Sequence, residues 1–495
     1  MRDIVEHSTI QRLVRTCSVA DAATAENAAK ALGDLASTGY ATHVVEAGGA
    51  QAMTQLVVAA RPSDNEMVKV ICDGLSHLID HVHVRRRMLA EGIVRHLVAA
   101  IISGPEAHHA AIGSLLISIC VQSECAEIVV QEGALRALTR LAMVLNEDLQ
   151  EEVAWALASL SSLAFNAEPM AEPCVLQTLV DLLKQNATPH CVKICVQAVW
   201  AVANLSVHTA MKPKLAESGA IEELIRQLGV WSDALEAVKP DSETAETIVL
   251  TLQQCSRALA NMASLQSVRA DVAAGLPQLL RVMAAADASD VIMMEISART
   301  LAHLTIDANI AARFVNAGGM HTLLKCLNAS NEPPARVRTE SLKVLVNVSA
   351  SGFPSTLSEL VSDEALRVVI GSMDGRHAQV TQAHAVSILA NLARSTQMQH
   401  KVALIKSGAL RQLSVSIASD FTPTPIKEAS SRVVKELKAV LTPTSRRALL
   451  QAAGMSHSAV WTSDAGESTR AMRRFGTSTP RKSSPLAQVQ HATLS

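Results

Sequence analysis

LAESGAIEEL, residues 215–224, reads as the end of one short helix, a glycine, and the start of a second, leucine-bearing helix. The same phrase returns as VVEAGGAQAM (44–53), MLAEGIVRHL (88–97), VVQEGALRAL (129–138), FVNAGGMHTL (314–323) and LIKSGALRQL (404–413). Its glycine slot falls at Gly48, Gly92, Gly133, Gly219, Gly318 and Gly408, with Cys174, Ala274 and Glu364 in weaker copies. Successive slots stand 44, 41, 41, 45, 55, 44, 46 and 44 residues apart. Such a period marks a solenoid, in which no unit buries its own apolar face and each leans on its neighbours.

Between the slots the sequence has helical spacing. CVKICVQAVWAVANLS (191–206) places Val192, Cys195, Val199, Val202 and Ala203 on one apolar face, as a 3.6-residue period requires. A short helix, MKPKLAESG (211–219), follows, and then AIEELIRQL (220–228). The glycine between them accepts the left-handed backbone that ends a helix and turns the chain. Its role is architectural.

Composition supports thin, closely packed helices. Hydrophobic residues make up 49% and aromatic residues 2% of the 495, a poor balance for strands, which favour aromatic and β-branched side chains. Formal net charge is −2, which argues against bulk binding to nucleic acid. One tyrosine and five phenylalanines are too few for a base-stacking platform. The nine cysteines form no readable disulfide framework and no CxxC pair, so reduced, mostly buried thiols are expected. The start, MRDIVEHSTI, has neither the basic-then-apolar pattern of a signal peptide nor a myristoylation glycine. A cytoplasmic protein, present also in the nucleus, is expected.

No catalytic motif is present: there is no GxSxG, P-loop, HExxH or dinucleotide fingerprint, and an enzyme is not expected. His81, His83, His108 and His109 come in close pairs, but a zinc site needs three or four converging ligands. No metal and no cofactor is expected.

The three-helix unit, with its glycine corner and an ending such as AVANLS (201–206), resembles the armadillo repeat. The resemblance covers roughly residues 22–452. It implies an all-α, right-handed superhelical α-solenoid of about nine to ten repeats. The expected organisation is an N-terminal segment or cap over 1–21, a solenoid over 22–454, and a disordered, basic Ser/Thr/Pro-rich tail over 455–495.

In armadillo proteins the third helix of each unit lines a concave groove, and a ladder of asparagines there clamps an extended peptide. A carboxamide both donates and accepts, so it can satisfy both backbone groups of a bound chain. Counting back from the glycine slots puts this ladder at Asp34, His77, Ser118, Ser159, Asn204, Asn261, His303, Asn347 and Asn391. The same polar groups would also serve to satisfy helix ends and neighbouring repeats. One turn earlier on that face stand Lys30, Asp73, Ser114, Trp155, Trp200, Arg257, Arg299, Lys343 and Ser387. Trp155 and Trp200 offer a slot for an aliphatic or cationic side chain. Trp200 with Asn204 repeats the Trp-x-x-x-Asn of importin-α-like adaptors once, but Trp155 is followed by Ser159 and the pattern then fails. Arg257, Arg299 and Lys343 instead form a basic stripe of the kind that β-catenin-like proteins turn to acidic segments, and a guanidinium fork suits carboxylate or phosphate.

Two departures remain. GVWSDALEAVKPDSETAET (229–247) is about eleven residues beyond the usual step and carries five acids, and it reads as an exposed loop between the second and third helices of its unit. Trp231, inside it, either anchors a partner or packs back on the solenoid. From Thr444 onward the tail carries seven Arg/Lys and two Asp/Glu, about +5 against a body near −7. It holds two Ser/Thr-Pro sites (Thr479, Ser484) and a basic set, Arg473, Arg474, Arg481 and Lys482, that reads as a weak import signal. The expected function is a non-catalytic scaffold holding an extended, acidic segment of a partner protein. The alternatives are a nuclear-transport adaptor and a structural part of a cytoskeletal or membrane-associated assembly.

Overall fold

Six glycines share one backbone conformation, and that conformation builds the repeat. Gly48, Gly92, Gly133, Gly219, Gly318 and Gly408 all have φ between 77° and 88°, the left-handed region that a side chain resists. The structure is a computed structural model and describes residues 2–19, 21–239, 242–286, 290–328 and 333–439. All its regular elements are helices; there is no strand among the described residues. In one full unit the first helix is Met211–Glu217, Gly219 turns the chain, the second helix is Ala220–Ala237, and the third is Glu243–Ala263.

A Cβ built on Gly92 meets nothing within 4 Å, so substitution there is opposed by the backbone alone. Gly92→Ala is expected to destabilise the protein by about 1 kcal/mol, and Gly92→Asn by less, because asparagine tolerates left-handed φ. The shift in urea midpoint, followed by circular dichroism, measures both. The three slots without glycine turn by other means. Before Cys174, Pro173 opens the second helix at the position where its missing N–H is not needed. At Ala274 a 3-10 turn, Ala273–Gly275, replaces the corner. At Glu364 the hydroxyl of Ser362 accepts from the Ala365 N–H at 3.3 Å.

By its backbone contacts the chain divides into two units, 1–368 and 369–495. In the first unit the third helices are Ala22–Leu35, Asn65–Ile79, His109–Cys120, Glu147–Ser161, Val192–Leu205, Glu243–Ala263, Val291–Leu304 and Ala335–Ala350, and each packs on the next. The first two approach to backbone contact: a Cβ on Gly33 would lie 2.7 Å from the Gly74 Cα. Helix Arg2–Val19 packs on Ala22–Leu35 and Gly49–Ala59, burying Ile10 and Cys17. In the second unit Gln379–Ala393 and Ala409–Ala418 pack with Thr424–Ala439. The tail over 455–495, with its Ser/Thr-Pro sites and basic set, lies outside the described residues.

The core is aliphatic: leucine, valine, isoleucine and alanine fill it, and Trp231 and Phe314 are its largest fully buried side chains. Nine cysteines are free thiols and seven of them are buried. Burial pushes the Cys120 thiol up to about 12, so it stays protonated and unreactive.

Most of the 229–247 stretch is helical and not an exposed loop. The second helix runs on through it to Ala237, 18 residues in all, and the third begins at Glu243 and runs for 21. The apolar spacing of Leu228, Trp231 and Leu235 continues the second helix, and this outweighed the loop signal of Pro240, Asp241 and Ser242. Trp231 is 0% exposed. Its Nε1 donates to Gln227 Oε1 at 2.5 Å, and Gln227 Nε2 donates to Leu183 O and to Glu223 Oε1. Trp231 is therefore a core residue and not a partner anchor. Two of the acids are neutralised, since Arg281 binds Asp233 at 2.5 Å and Glu236 at 2.6 Å.

Candidate functional site

The third helices put every fourth residue on one face, so each rung carries two predicted residues one turn apart. Within the 1–368 unit these pairs are Trp155 with Ser159, Trp200 with Asn204, Arg257 with Asn261, Arg299 with His303, and Lys343 with Asn347. Trp155 is 47% exposed; Trp200 and the seven residues from Asn204 through Asn347 in these last pairs are half-buried. Asn391 is half-buried on Gln379–Ala393 in the 369–495 unit, where it lines a recess of about 520 Å³ with Arg394, Arg432 and Glu436.

The asparagines are partly committed to the fold. Asn204 Nδ2 donates to Ser161 Oγ at 3.1 Å, and its Oδ1 accepts from Arg257 Nη2 at 3.2 Å. Asn261 Nδ2 donates to Ala203 O at 3.4 Å and Ser206 Oγ at 3.1 Å. Asn347 Nδ2 repeats this one step on, toward Ala302 O and Thr305 Oγ1. Each carboxamide thus ties off the end of the preceding third helix, where carbonyls lack intrahelical partners. Of the two uses open to these asparagines, the amide N–H groups serve the one inside the solenoid. The Oδ1 atoms of Asn261 and Asn347 make no hydrogen bond among the described residues.

The basic stripe is more open. Arg257 donates to Gln254 Oε1 and Asn204 Oδ1, both at 3.2 Å, and is paired with no carboxylate among the described residues. Burial, and then Arg299, hold its pKa below the usual guanidinium value. Arg299 has no hydrogen bond or ion pair among the described residues, and its Nε is buried without an acceptor. Among the described residues Lys343 pairs with Glu340 alone, at 3.9 Å.

Two cations were not legible in the sequence. Lys212, 7% exposed, donates to Ser264 Oγ at 2.7 Å, and Arg269 Nε donates to Ala263 O at 3.1 Å. Both come from first helices and reach the groove only through the packing of successive units. They belong to the surroundings of His303, whose pKa is lowered to about 4 by burial and then by Lys343, Arg269, Arg299 and Lys212.

This shift makes stability depend on pH. In the unfolded chain the imidazole titrates near its ordinary 6.5, so above that pH neither state is protonated and stability is unaffected. Between about 6.5 and 4 the unfolded chain takes up a proton that the folded site refuses, and stability falls. His109 and His400, also held low mainly by burial, act in the same direction. The melting temperature is expected to drop between pH 7.5 and pH 5, and His303→Gln to remove part of that drop; an unchanged drop would exclude His303 as its source.

At the other end of this face, Trp155 stands with Asp148, Glu151, Glu152 and Gln197 around a recess of about 520 Å³. The two indoles are not in ring contact among the described residues. Among the described residues no three His, Cys, Asp or Glu converge as metal ligands, and no single helix is long and apolar enough to cross a membrane.

Comparison with known proteins agrees with this geometry. Residues 122–162 match the model of the armadillo/beta-catenin-like repeat, a span holding one glycine corner and the third helix that carries Trp155. A chain from a structural study of a phosphorylation switch controlling the interaction between cadherin and beta-catenin has TM-score 0.64 and 18% identity. It aligns over 88% of this chain and 82% of its own. An engineered protein gives TM-score 0.62 and 21% identity, over 87% of this chain and 98% of its own. No curated protein matches in sequence. With a glycine-cornered three-helix unit, stacked third helices and one stretch that matches the repeat model, the chain has the fold of an armadillo-repeat solenoid.

Proposed function

We propose that this chain is a non-catalytic scaffold that binds an extended, acidic segment of a partner protein along the third-helix face of its 1–368 unit. One observation carries this: Arg299 is a half-buried guanidinium with no carboxylate and an unsatisfied Nε, set among Arg257, Lys343, Lys212 and Arg269. Gathering desolvated cations without counter-charge costs folding energy, and an oxyanion arriving in the groove removes that cost. Support also comes from the similar fold in the cadherin and beta-catenin study, which concerns protein–protein association. An importin-α-like role is less favoured, because Asn204, the partner of the single full Trp-x-x-x-Asn, already has its Oδ1 bound by Arg257. The proposal puts this work in the cytoplasm, with the nucleus as a second site.

The test is a display screen of unstructured peptides against the full chain. Acidic sequences should be enriched, and the enrichment should vanish with Arg257→Glu combined with Arg299→Glu. Enrichment of lysine-rich sequences that survive the double change would favour the adaptor role.

A further inference from the structure

The groove face of the 1–368 unit changes sign along its length. On its fourth third helix, Glu147–Ser161, lies the recess at Trp155. Asp148 is exposed there, and Glu151 and Glu152 are half-exposed. Glu152 accepts from Ser114 Oγ at 2.6 Å, which fixes its carboxylate on this face. Lys193, which also feels the charge of Glu151, is ion-paired to Glu243 at 3.2 Å. An indole 47% exposed beside three carboxylates is a setting for an alkyl-ammonium or guanidinium, whose stem lies on the ring and whose charge meets the acids. Two and three rungs on stand Arg257 and Arg299, with the opposite need. Trp200, on the rung between, is half-buried and uncharged, and keeps the two regions from neutralising each other.

We propose that the partner segment carries both signs: a lysine or arginine seated at Trp155 among Asp148, Glu151 and Glu152, and carboxylates or other oxyanions seated at Arg257 and Arg299. This deepens the scaffold function and rests on it. The spacing follows from the stack. Adjacent helices lie about 8–10 Å apart, so Trp155 and Arg299, three rungs apart, are separated by about 24–30 Å. An extended chain advances about 3.3 Å per residue, which places the two signs roughly seven to nine residues apart. A shorter segment reaches one region only. The change of sign also fixes direction, since a segment laid in backwards meets like charge at both ends.

Synthetic peptides with a serine–valine spacer test this on the full chain by fluorescence anisotropy. The probes are a peptide with two lysines and two glutamates about eight residues apart, made in both orders; the same with a gap of about three; an all-glutamate version; and an all-lysine version. One order of the long two-signed peptide should bind at least tenfold more tightly than any other probe. Trp155→Ala with Glu151→Gln should lower its affinity to that of the all-glutamate peptide, whose own affinity stays unchanged. Equal binding of the all-glutamate and two-signed peptides, with both sensitive to Arg299→Glu, would overturn the two-signed segment and leave the acidic scaffold standing. No arginine-dependent binding of any probe would overturn both.

Discussion

Trp231→Ala is expected to destabilise the protein by about 3–5 kcal/mol, the usual cost of truncating a fully buried tryptophan. The side chain is 0% exposed and fills the space beneath the lengthened second helix. Its loss also strips Gln227 Oε1 of its N–H donor at 2.5 Å, and Gln227 itself is 0% exposed. Trp231→Phe should recover part of the packing but not that hydrogen bond, and so fall between the two. Because each repeat touches chiefly its neighbours, the damage should be local. Amide exchange should speed up across Ala220–Ala237 and Glu243–Ala263 before it does so in Asn65–Ile79. An unchanged melting temperature in Trp231→Ala would contradict the burial.

Arg257→Glu with Arg299→Glu is expected to weaken binding of an acidic peptide by about 2–4 kcal/mol, or roughly 30- to 1000-fold. The upper end requires full desolvation of both contacts, and their half-burial argues for the middle of that range. Salt should shrink the difference, because partly exposed charges are screened. The two arginines differ in what else they do. Arg299 has no partner among the described residues, so Arg299→Gln should leave the melting temperature unchanged or raise it. Arg257 holds Asn204 Oδ1, so Arg257→Gln should cost a little stability. If Arg299→Gln melts much lower than the parent, its guanidinium is structural and the groove assignment fails.

The repeat was legible because its cause is local. A glycine is required wherever the backbone turns left-handed, and six such glycines at nearly constant spacing declare the unit before any contact is known. The third-helix face was legible for the same reason, since residues four apart share a side. What the sequence could not reveal depends on separations of about thirty to ninety residues. That Asn204 is held by Arg257, that Asn261 reaches back to Ser206, and that Lys212 and Arg269 surround His303 follow from how successive units stack. The acids beside Trp155 stand in plain view in EEVAWALAS (151–159). Their importance emerges only when the structure shows Lys193 bonded to Glu243, leaving Glu151 and Glu152 beside the exposed indole. The loop expected over 229–247 was an error of weighting: Pro240 and its polar neighbours punctuate the stretch, but only after the apolar period has carried Trp231 into the core.

Length at this arm is quantised. Ala220–Ala237 has 18 residues where Ile93–Ser103 has 11, and the excess of seven is close to two helical turns. Seven residues return a helix to within about 20° of its starting phase, so the added segment lays Trp231 on the face that Leu224 and Leu228 had already begun. Two or five residues inserted between Leu228 and Trp231 would rotate Trp231 by more than a right angle, out of the core and into water. Redesign of this arm therefore has a ruler: shortening the second helix by seven residues, with the third trimmed to match, should return an ordinary repeat, while intermediate lengths should aggregate or melt.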